Sequence, residues 1–255
     1  LKNLQLIRLR DISILYPDFK KYRVMEEYIV KLEDLVYVKT GKPAFGDALA
    51  VIDLQNDFIP GGTLAVQEGD VIIEGINRVM ELFNRSDLPV VLTQDWHPAE
   101  HRSFASAHPG MKPYGPFERE GIGPVLWPDH CVQGSHGADF HKNLGVRHAH
   151  AVIRKGYHRD IDSYSGFLEN DGKTRTGLDG YLRDRGVKRL FICGLALDYC
   201  VFFTASHGRD LGYEVCVIAD LARPVGSPPG SLSSALDTMS DKGVCFVCSA
   251  DLFPV

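Results

Sequence analysis

The chain lacks any apolar run long enough to cross a bilayer, and it shows no recognisable signal peptide. It also lacks a surplus of positive charge. With 28 Lys and Arg against 33 Asp and Glu, the net charge is -5, which excludes a strong pull toward nucleic acid or an anionic membrane surface. Cysteine is sparse: six in 255 residues, without dense spacing, which excludes a disulfide scaffold and fits reduced thiols in an intracellular, cytoplasmic protein. Internal repeats and low-complexity segments are absent. What is there is 44% hydrophobic and 24% charged, enough for a sizeable core, at a length that suits one α/β domain with or without an appendage.

Residues 1–45 differ from the rest and read as an N-terminal extension that is partly helical. Tyr22, Met25, Tyr28, Ile29 and Leu32 fall at roughly helical spacing within Asp18 to Lys39. Such a helix needs a partner surface, either on the main domain or on a second copy of the chain, which keeps a homo-oligomer open.

From Asp47 onward the pattern alternates. Short apolar runs at Ala48–Asp53, Pro89–Thr93, Ala151–Ile153, Leu190–Cys193, Tyr213–Ala219 and Val244–Cys248 read as strands. Helical spacing separates several of them, at Val71–Phe83, Gly177–Arg185, Tyr199–Leu211 and Ser231–Lys242. Near-continuously apolar strands alternating with helices predict a three-layer α/β/α fold around a six-stranded, mainly parallel sheet. Cys245 and Cys248 form a CxxC, but within one strand positions i and i+3 face opposite sides, so a shared metal or redox role is not expected.

In open parallel sheets ligands bind beyond the carboxyl ends of the strands. Asp53 follows the first strand, Asp95 and His97 the second, Lys155 the third and Cys200 the turn after the fourth. Each has an ordinary reading alone: a turn cap, a solvated lysine, a small buried thiol. An acid, a lysine and a cysteine on one rim point instead to nucleophilic catalysis. Asp198 is a good helix N-cap residue, so Cys200 is expected in a first helical turn. There free N–H groups and the helix dipole would lower its pKa from about 8.5 and could hold an oxyanion.

Asp95-x-His97 puts a carboxylate and an imidazole on one face of an extended segment, a pair suited to Zn²⁺ or to Mn²⁺ or Fe²⁺. A third ligand must come from the long loop, which offers His101, His108, His130, His136 and His141. His130 is preferred for its Trp127-Pro128 context, and His101 is next.

These strings have a family likeness. Val51-Ile52-Asp53-Leu54-Gln55-Asn56-Asp57-Phe58, Thr93-Gln94-Asp95-Trp96-His97-Pro98, Trp127-Pro128-Asp129-His130-Cys131, Lys155-Gly156, Asp162-Ser163-Tyr164-Ser165-Gly166-Phe167 and Gly194-Leu195-Ala196-Leu197-Asp198-Tyr199-Cys200-Val201 resemble the nicotinamidases, a branch of the isochorismatase-like cysteine hydrolases. The likeness runs from about Asp47 to Leu252 and makes residues 46–255 the hydrolase domain. It implies that Cys200 is the nucleophile, Asp53 its general base and Lys155 the cation that orients both. It implies that Asp95, His97 and His130 hold one divalent metal. Phe58 and Trp127 would sandwich a pyridine ring, and Tyr164 would line the pocket. A cis peptide would precede Ala196, aiming the Ala196 and Cys200 N–H groups at an oxyanion. Tyr199 stands where that family often has histidine, with little expected consequence. The implied reaction is conversion of nicotinamide to nicotinate and ammonia in NAD salvage. Another amide or carbamoyl hydrolase of the superfamily is the alternative. A non-catalytic binding or scaffold protein on the same fold is the alternative from another class, and loss of the acid, lysine or cysteine would have favoured it.

Overall fold

The computed structural model describes residues 6–7, 32 and 35–253. In chain order the strands and helices are β1 (Leu6–Ile7), β2 (Tyr37–Val38), β3 (Asp47–Ile52), α1 (Ile73–Arg85), β4 (Val90–Asp95), β5 (Ala151–Lys155), α2 (Leu178–Asp184), β6 (Arg189–Leu195), α3 (Cys200–Asp210), β7 (Glu214–Arg223), α4 (Ser231–Asp241) and β8 (Cys245–Val247). Among the described residues they form one sheet in the order β1-β2-β8-β7-β6-β3-β4-β5. Every pairing is parallel except that of β1 with β2.

The six expected strands are all present. The sheet is wider than expected because Tyr37 pairs with Phe246 of β8 and Leu6 with Val38. Two-residue strands have no periodicity for a sequence pattern to reveal. The helix expected over Asp18 to Lys39 lies largely outside the described residues, and at its far end Tyr37–Val38 is strand instead.

Side chains on both faces of β3 and β4 are buried throughout, so the sheet is covered on both sides. One covering element, α1, shows why the sequence folds this way. Ile73, Ile76, Val79, Met80 and Phe83 recur every three or four residues and are buried. Glu74, Arg78, Glu81 and Arg85 take the other face. Burial of each such apolar side chain contributes about 1.5–3 kcal/mol. Ser86 and Asp87, the latter at φ 55°, end the helix before Pro89. Among the described residues no helix is long and apolar enough to cross a membrane.

The chain winds from β3 outward through β4 to β5, then returns to the other side of β3 as β6 and continues through β7 to β8. The winding direction therefore reverses between β3 and β6, which is where an open parallel sheet leaves a crevice beyond its carboxyl ends. Asp53 leaves β3 there and Ala196 leaves β6. Gly194 is required at this crossing: at φ +112° a Cβ would lie 2.2 Å from the carbonyl oxygen of Ile52.

Candidate active site

The rim residues converge. The Lys155 ammonium ends β5 and is fully buried, with Nζ 2.9 Å from Asp53 Oδ2 and 3.5 Å from Cys200 Sγ. It also donates to Asp95 Oδ1 and to the Ser163 carbonyl, the latter at 3.0 Å. Register places it there, since Asp95 and Lys155 are direct partners in the β4–β5 ladder. Asp53, itself at φ 48°, accepts a 2.6 Å hydrogen bond from Thr93 Oγ1 on its other oxygen.

Electrostatics at this cluster are unbalanced, one cation against two acids. Burial lowers the Lys155 pKa, but Asp53 and Asp95 outweigh it and hold the ammonium charged. Burial raises the Asp95 pKa, but Lys155 and then His97 pull it well below the usual carboxylate range. Asp53 moves the other way. Burial, helped by the Asp95 charge, raises its pKa against the pull of Lys155 and Thr93. A carboxyl poised upward beside a thiol suits proton transfer better than one pinned as an anion.

Cys200 corrects one expectation. Burial, then Asp53 and Asp95, push its thiol well above the ordinary range, and Lys155 only partly offsets them. The resting residue is a thiol that must hand its proton to a neighbour, not a free thiolate. It is the first residue of α3, as expected, but Asp198 does not cap that helix. Tyr199 is the N-cap residue and makes no side-chain cap hydrogen bond. Before it, the Leu195–Ala196 peptide is cis. The Ala196 carbonyl receives the N–H groups of Tyr199 and Val201 at 3.1 and 3.0 Å, which closes the turn that leads into Cys200.

On the far side of Asp95 lies a candidate metal site. Asp95, His97 and His130 each bring one ligand atom to within 4.8 Å of the others. The second nitrogen of each ring explains why. His97 Nδ1 donates to the Gly156 carbonyl at 2.8 Å, and His130 Nδ1 to the Pro128 carbonyl at 2.8 Å. Each ring therefore turns its Nε2 toward the site, oriented by an outer hydrogen bond as metal-binding imidazoles are. Burial opposes a second proton on His97, but Asp95 outweighs it and raises that pKa, so a cation bound there would displace the proton. His97 Nε2 is buried without a hydrogen-bond partner, 3.7 Å from Asp95 Oδ2. Burial, then His97, lower the His130 pKa to about 4, so that ring is neutral near pH 7. An orphaned imidazole nitrogen beside a carboxylate fits a divalent cation. Gly156 makes room: at φ +67° a Cβ would lie 2.3 Å from the His97 ring.

A second grouping, His97 with His101 and Asp162, meets the same distance. His101 has no lone pair left for it. Its Nδ1 accepts from the Ser103 N–H at 3.3 Å, and its Nε2 donates to the Ile161 carbonyl at 3.1 Å. A third grouping, Asp53, Asp95 and Cys200, already encloses a cation, the Lys155 ammonium.

Between thiol and metal site opens a narrow pocket. Phe58, Trp127, Tyr164, His130, Cys200 and Asp162 are among its lining residues. The aromatic walls are fixed by polar contacts. Trp127 Nε1 donates to Tyr164 Oη at 3.0 Å, and that hydroxyl donates to the Gly123 carbonyl at 2.9 Å. Asp57 accepts from the Cys131 N–H at 2.7 Å and so ties the Phe58 turn to the His130 loop.

Three residues in this region escaped the sequence reading. Gln55 is fully buried and brackets Asp95, accepting its N–H at 2.8 Å and donating to its carbonyl at 2.7 Å. Thr93 orients Asp53. Asp162 lines the pocket with one oxygen unpartnered. Gln55 and Asp162 stood inside quoted motifs, yet neither carries a pattern that separates a structural amide or a second carboxylate from loop composition.

Residues 47–251 match the family model of the isochorismatase domain. The nicotinamidase of Escherichia coli (strain K12) is 44% identical over 204 residues, covering 80% of this chain and 95% of that protein. The chain belongs to the nicotinamidase family of isochorismatase-domain proteins. Solved structures agree. The Acinetobacter baumanii nicotinamidase pyrazinamidease superposes with a TM-score of 0.79 at 45% identity, covering 83% of this chain and all of that one. The pyrazinamidase of Pyrococcus horikoshii, in complex with zinc, gives a TM-score of 0.65 at 36% identity, covering 80% and 99%.

Proposed function

We propose that this nicotinamidase-family chain hydrolyses nicotinamide to nicotinate and ammonia, in NAD salvage, through a Cys200 thioester. The observation that carries the reading is one buried ammonium, Lys155, touching Asp53, Asp95 and the Cys200 sulfur at the floor of an aromatic pocket. The isochorismatase-domain match over residues 47–251 and the 44% identity to a nicotinamidase over 204 residues support it. The activity resides in residues 46–255, with residues 1–45 an extension to it.

The steps follow from the charges. Cys200 rests as a thiol. Asp53, as the carboxylate, accepts its proton as sulfur bonds to the carboxamide carbon. The negative charge passes from acid through sulfur to the carboxamide oxygen, and Lys155 stabilises the thiolate character on the way. The Ala196 and Cys200 N–H groups donate to the oxyanion. When the C–N bond breaks, Asp53 returns the proton to the leaving nitrogen, so ammonia departs neutral. Asp53 then takes a proton from water as its oxygen attacks the thioester carbonyl. The C–S bond breaks, Asp53 returns that proton to the Cys200 sulfur, and nicotinic acid leaves and ionises to nicotinate. Phe58, Trp127 and Tyr164 bind and flank the ring. Asp95, His97 and His130 would hold one divalent ion, proposed to be Zn²⁺ from its one-carboxylate, two-imidazole donor set. Bound there, the ion supplies a coordination position for the pyridine nitrogen, a positioning role.

Ammonia release from nicotinamide tests the reading, with benzamide as the amide that lacks a ring nitrogen. Chelation is expected to depress nicotinamide hydrolysis severely and to leave benzamide equally poor with or without metal. No ammonia from nicotinamide with metal supplied would overturn the function. Equal metal dependence for both amides would overturn the positioning role.

A further inference from the structure

The two residues before Cys200 reach away from it. Asp198 is buried, and its carboxylate accepts hydrogen bonds from the Val225 N–H at 2.8 Å, the Gly226 N–H at 2.9 Å and Ser231 Oγ at 2.6 Å. Tyr199 donates its hydroxyl to the Ser227 carbonyl at 2.6 Å. Three hydrogen bonds from consecutive residues thus run from the nucleophile's turn to the segment joining β7 to α4, and a fourth reaches Ser231, the first residue of α4. That segment, residues 224–230, belongs to no strand or helix. Its N–H groups have no ladder to satisfy them, and bonds to a carboxylate are about twice as strong as neutral ones. Val225 from this segment lines the pocket together with Tyr199, Ala196 and Cys200. The Tyr199 ring stands edge-on to Trp127 at 5.0 Å and to Tyr164 at 5.4 Å. One side chain therefore packs on the aromatic walls with its ring and holds the Val225 segment with its hydroxyl.

We infer that Asp198 and Tyr199 are positioning and specificity-determining residues that clamp residues 225–227, fix Val225 as part of the pocket wall, and so limit the ring substituents the pocket admits. This rests on the hydrolase reading of the site. It gives the tyrosine at position 199, read from sequence as a departure of little consequence, a task that depends on its hydroxyl. Neither residue moves a proton in the reaction. Loosening the clamp therefore acts on substrate fit and leaves the chemical step to Cys200, Asp53 and Lys155.

Tyr199→Phe keeps the ring packing and removes only the hydroxyl's bond. The loss of one such bond predicts a KM for nicotinamide about three- to tenfold higher, with kcat within about twofold of wild type. The ratio of kcat/KM for 5-methylnicotinamide or 6-methylnicotinamide over nicotinamide is expected to rise at least about threefold by the same change. Asp198→Asn, which keeps the shape and removes the charge, is expected to act in the same direction and to speed hydrogen exchange at the Val225 and Gly226 amides. The exchange measurement needs no substrate, so it decides the clamp even for a wild-type protein that fails on nicotinamide, a result that would instead sink the hydrolase reading. Unchanged exchange at both amides in Asp198→Asn overturns the clamp. So does a Tyr199→Phe protein with wild-type KM and wild-type substituent preference, or one whose kcat falls while KM stays fixed.

Discussion

Strand β3 has an aspartate at each end, and the two live in opposite circumstances. Asp47 opens the strand and meets Arg189, its direct partner at the start of β6. The guanidinium binds both carboxylate oxygens, at 2.8 and 2.7 Å, and the Ala44 N–H adds a third bond at 2.8 Å. Arg189 remains 21% exposed at its side chain. One charge meets one charge at the edge of water, in a geometry that satisfies both. Asp53, just past the other end, shares a fully buried ammonium with Asp95 and a thiol. The first arrangement is complete and inert. The second is short of positive charge in a medium that screens poorly, so a proton from the thiol is readily accepted there. Both are ion pairs on one strand, and the number of acceptors competing for the cation separates a clasp from a catalyst.

The largest test of that contrast is Cys200→Ala. Alanine suits the first turn of α3, so the protein is expected to fold while turnover drops by more than about 10³-fold. Clear ammonia release from a well-folded Cys200→Ala protein would end the thiol mechanism. Next comes Lys155→Met, expected to lower kcat on the order of 10²- to 10³-fold as an electrostatic stabiliser is lost. The sign of its effect on the thiol follows from the charges. Lys155 pulls the Cys200 pKa down against burial, Asp53 and Asp95, so its removal raises that pKa further. Iodoacetamide labelling of Cys200 in the folded variant should then be slower at neutral pH, and its rise with pH should shift to more alkaline values. An unshifted labelling profile would show that the ammonium does not tune the thiol.

A smaller effect is expected from Asp47→Ala. Losing hydrogen bonds to a charged partner costs about 1.5–3 kcal/mol, toward the lower figure here because water reaches Arg189. Denaturant unfolding measures it, with kcat/KM expected to stay at the wild-type value. A fall in kcat/KM comparable to that of Lys155→Met would mean the two ends of β3 are not separate. The smallest change is Cys193→Ala, in the middle of β6 and fully buried. Stability should drop by about 1 kcal/mol from the small cavity, while activity and Cys200 labelling stay put.

Much of this was legible in the sequence because it is written in local patterns. Six strands announce themselves as apolar runs, and the carboxyl-end rule gathers Asp53, Asp95, His97, Lys155 and Cys200 without coordinates. What stayed hidden depends on partners distant in sequence. The choice between His101 and His130 turns on whether a nitrogen is left over: both rings donate to a carbonyl, of Ile161 or of Pro128, but the other nitrogen of His101 is taken by the Ser103 N–H. Asp198 reads as a helix cap because aspartate before a helix usually is one, but three donors from residues 225–231 claim it first. The direction of the Cys200 pKa was misjudged for a related reason. The helix start is visible in sequence, whereas the depth of burial and the two nearby carboxylates are not.

Strand β5 carries Lys155 on its last residue and lies at the outer edge of the sheet. Along it, Ala151, Ile153 and Lys155 face inward, while Val152 and Arg154 face out. The strand works as a reading frame. Slide it one residue along β4 and every inward side chain becomes outward, which would send the ammonium to solvent and put Arg154 or Gly156 opposite Asp95. An edge strand has one neighbour to hold its frame, so the burden falls on a few contacts beside the ladder. The Arg154 guanidinium lies over the Trp96 ring at 3.8 Å and donates to Gln94 Oε1, and His150 Nδ1 accepts the Val90 N–H. None of these residues touches the thiol or the pocket. A one-residue deletion in the turn before Ala151 would spare every residue assigned to catalysis and still erase the site, because the cation would be spelled out on the wrong face.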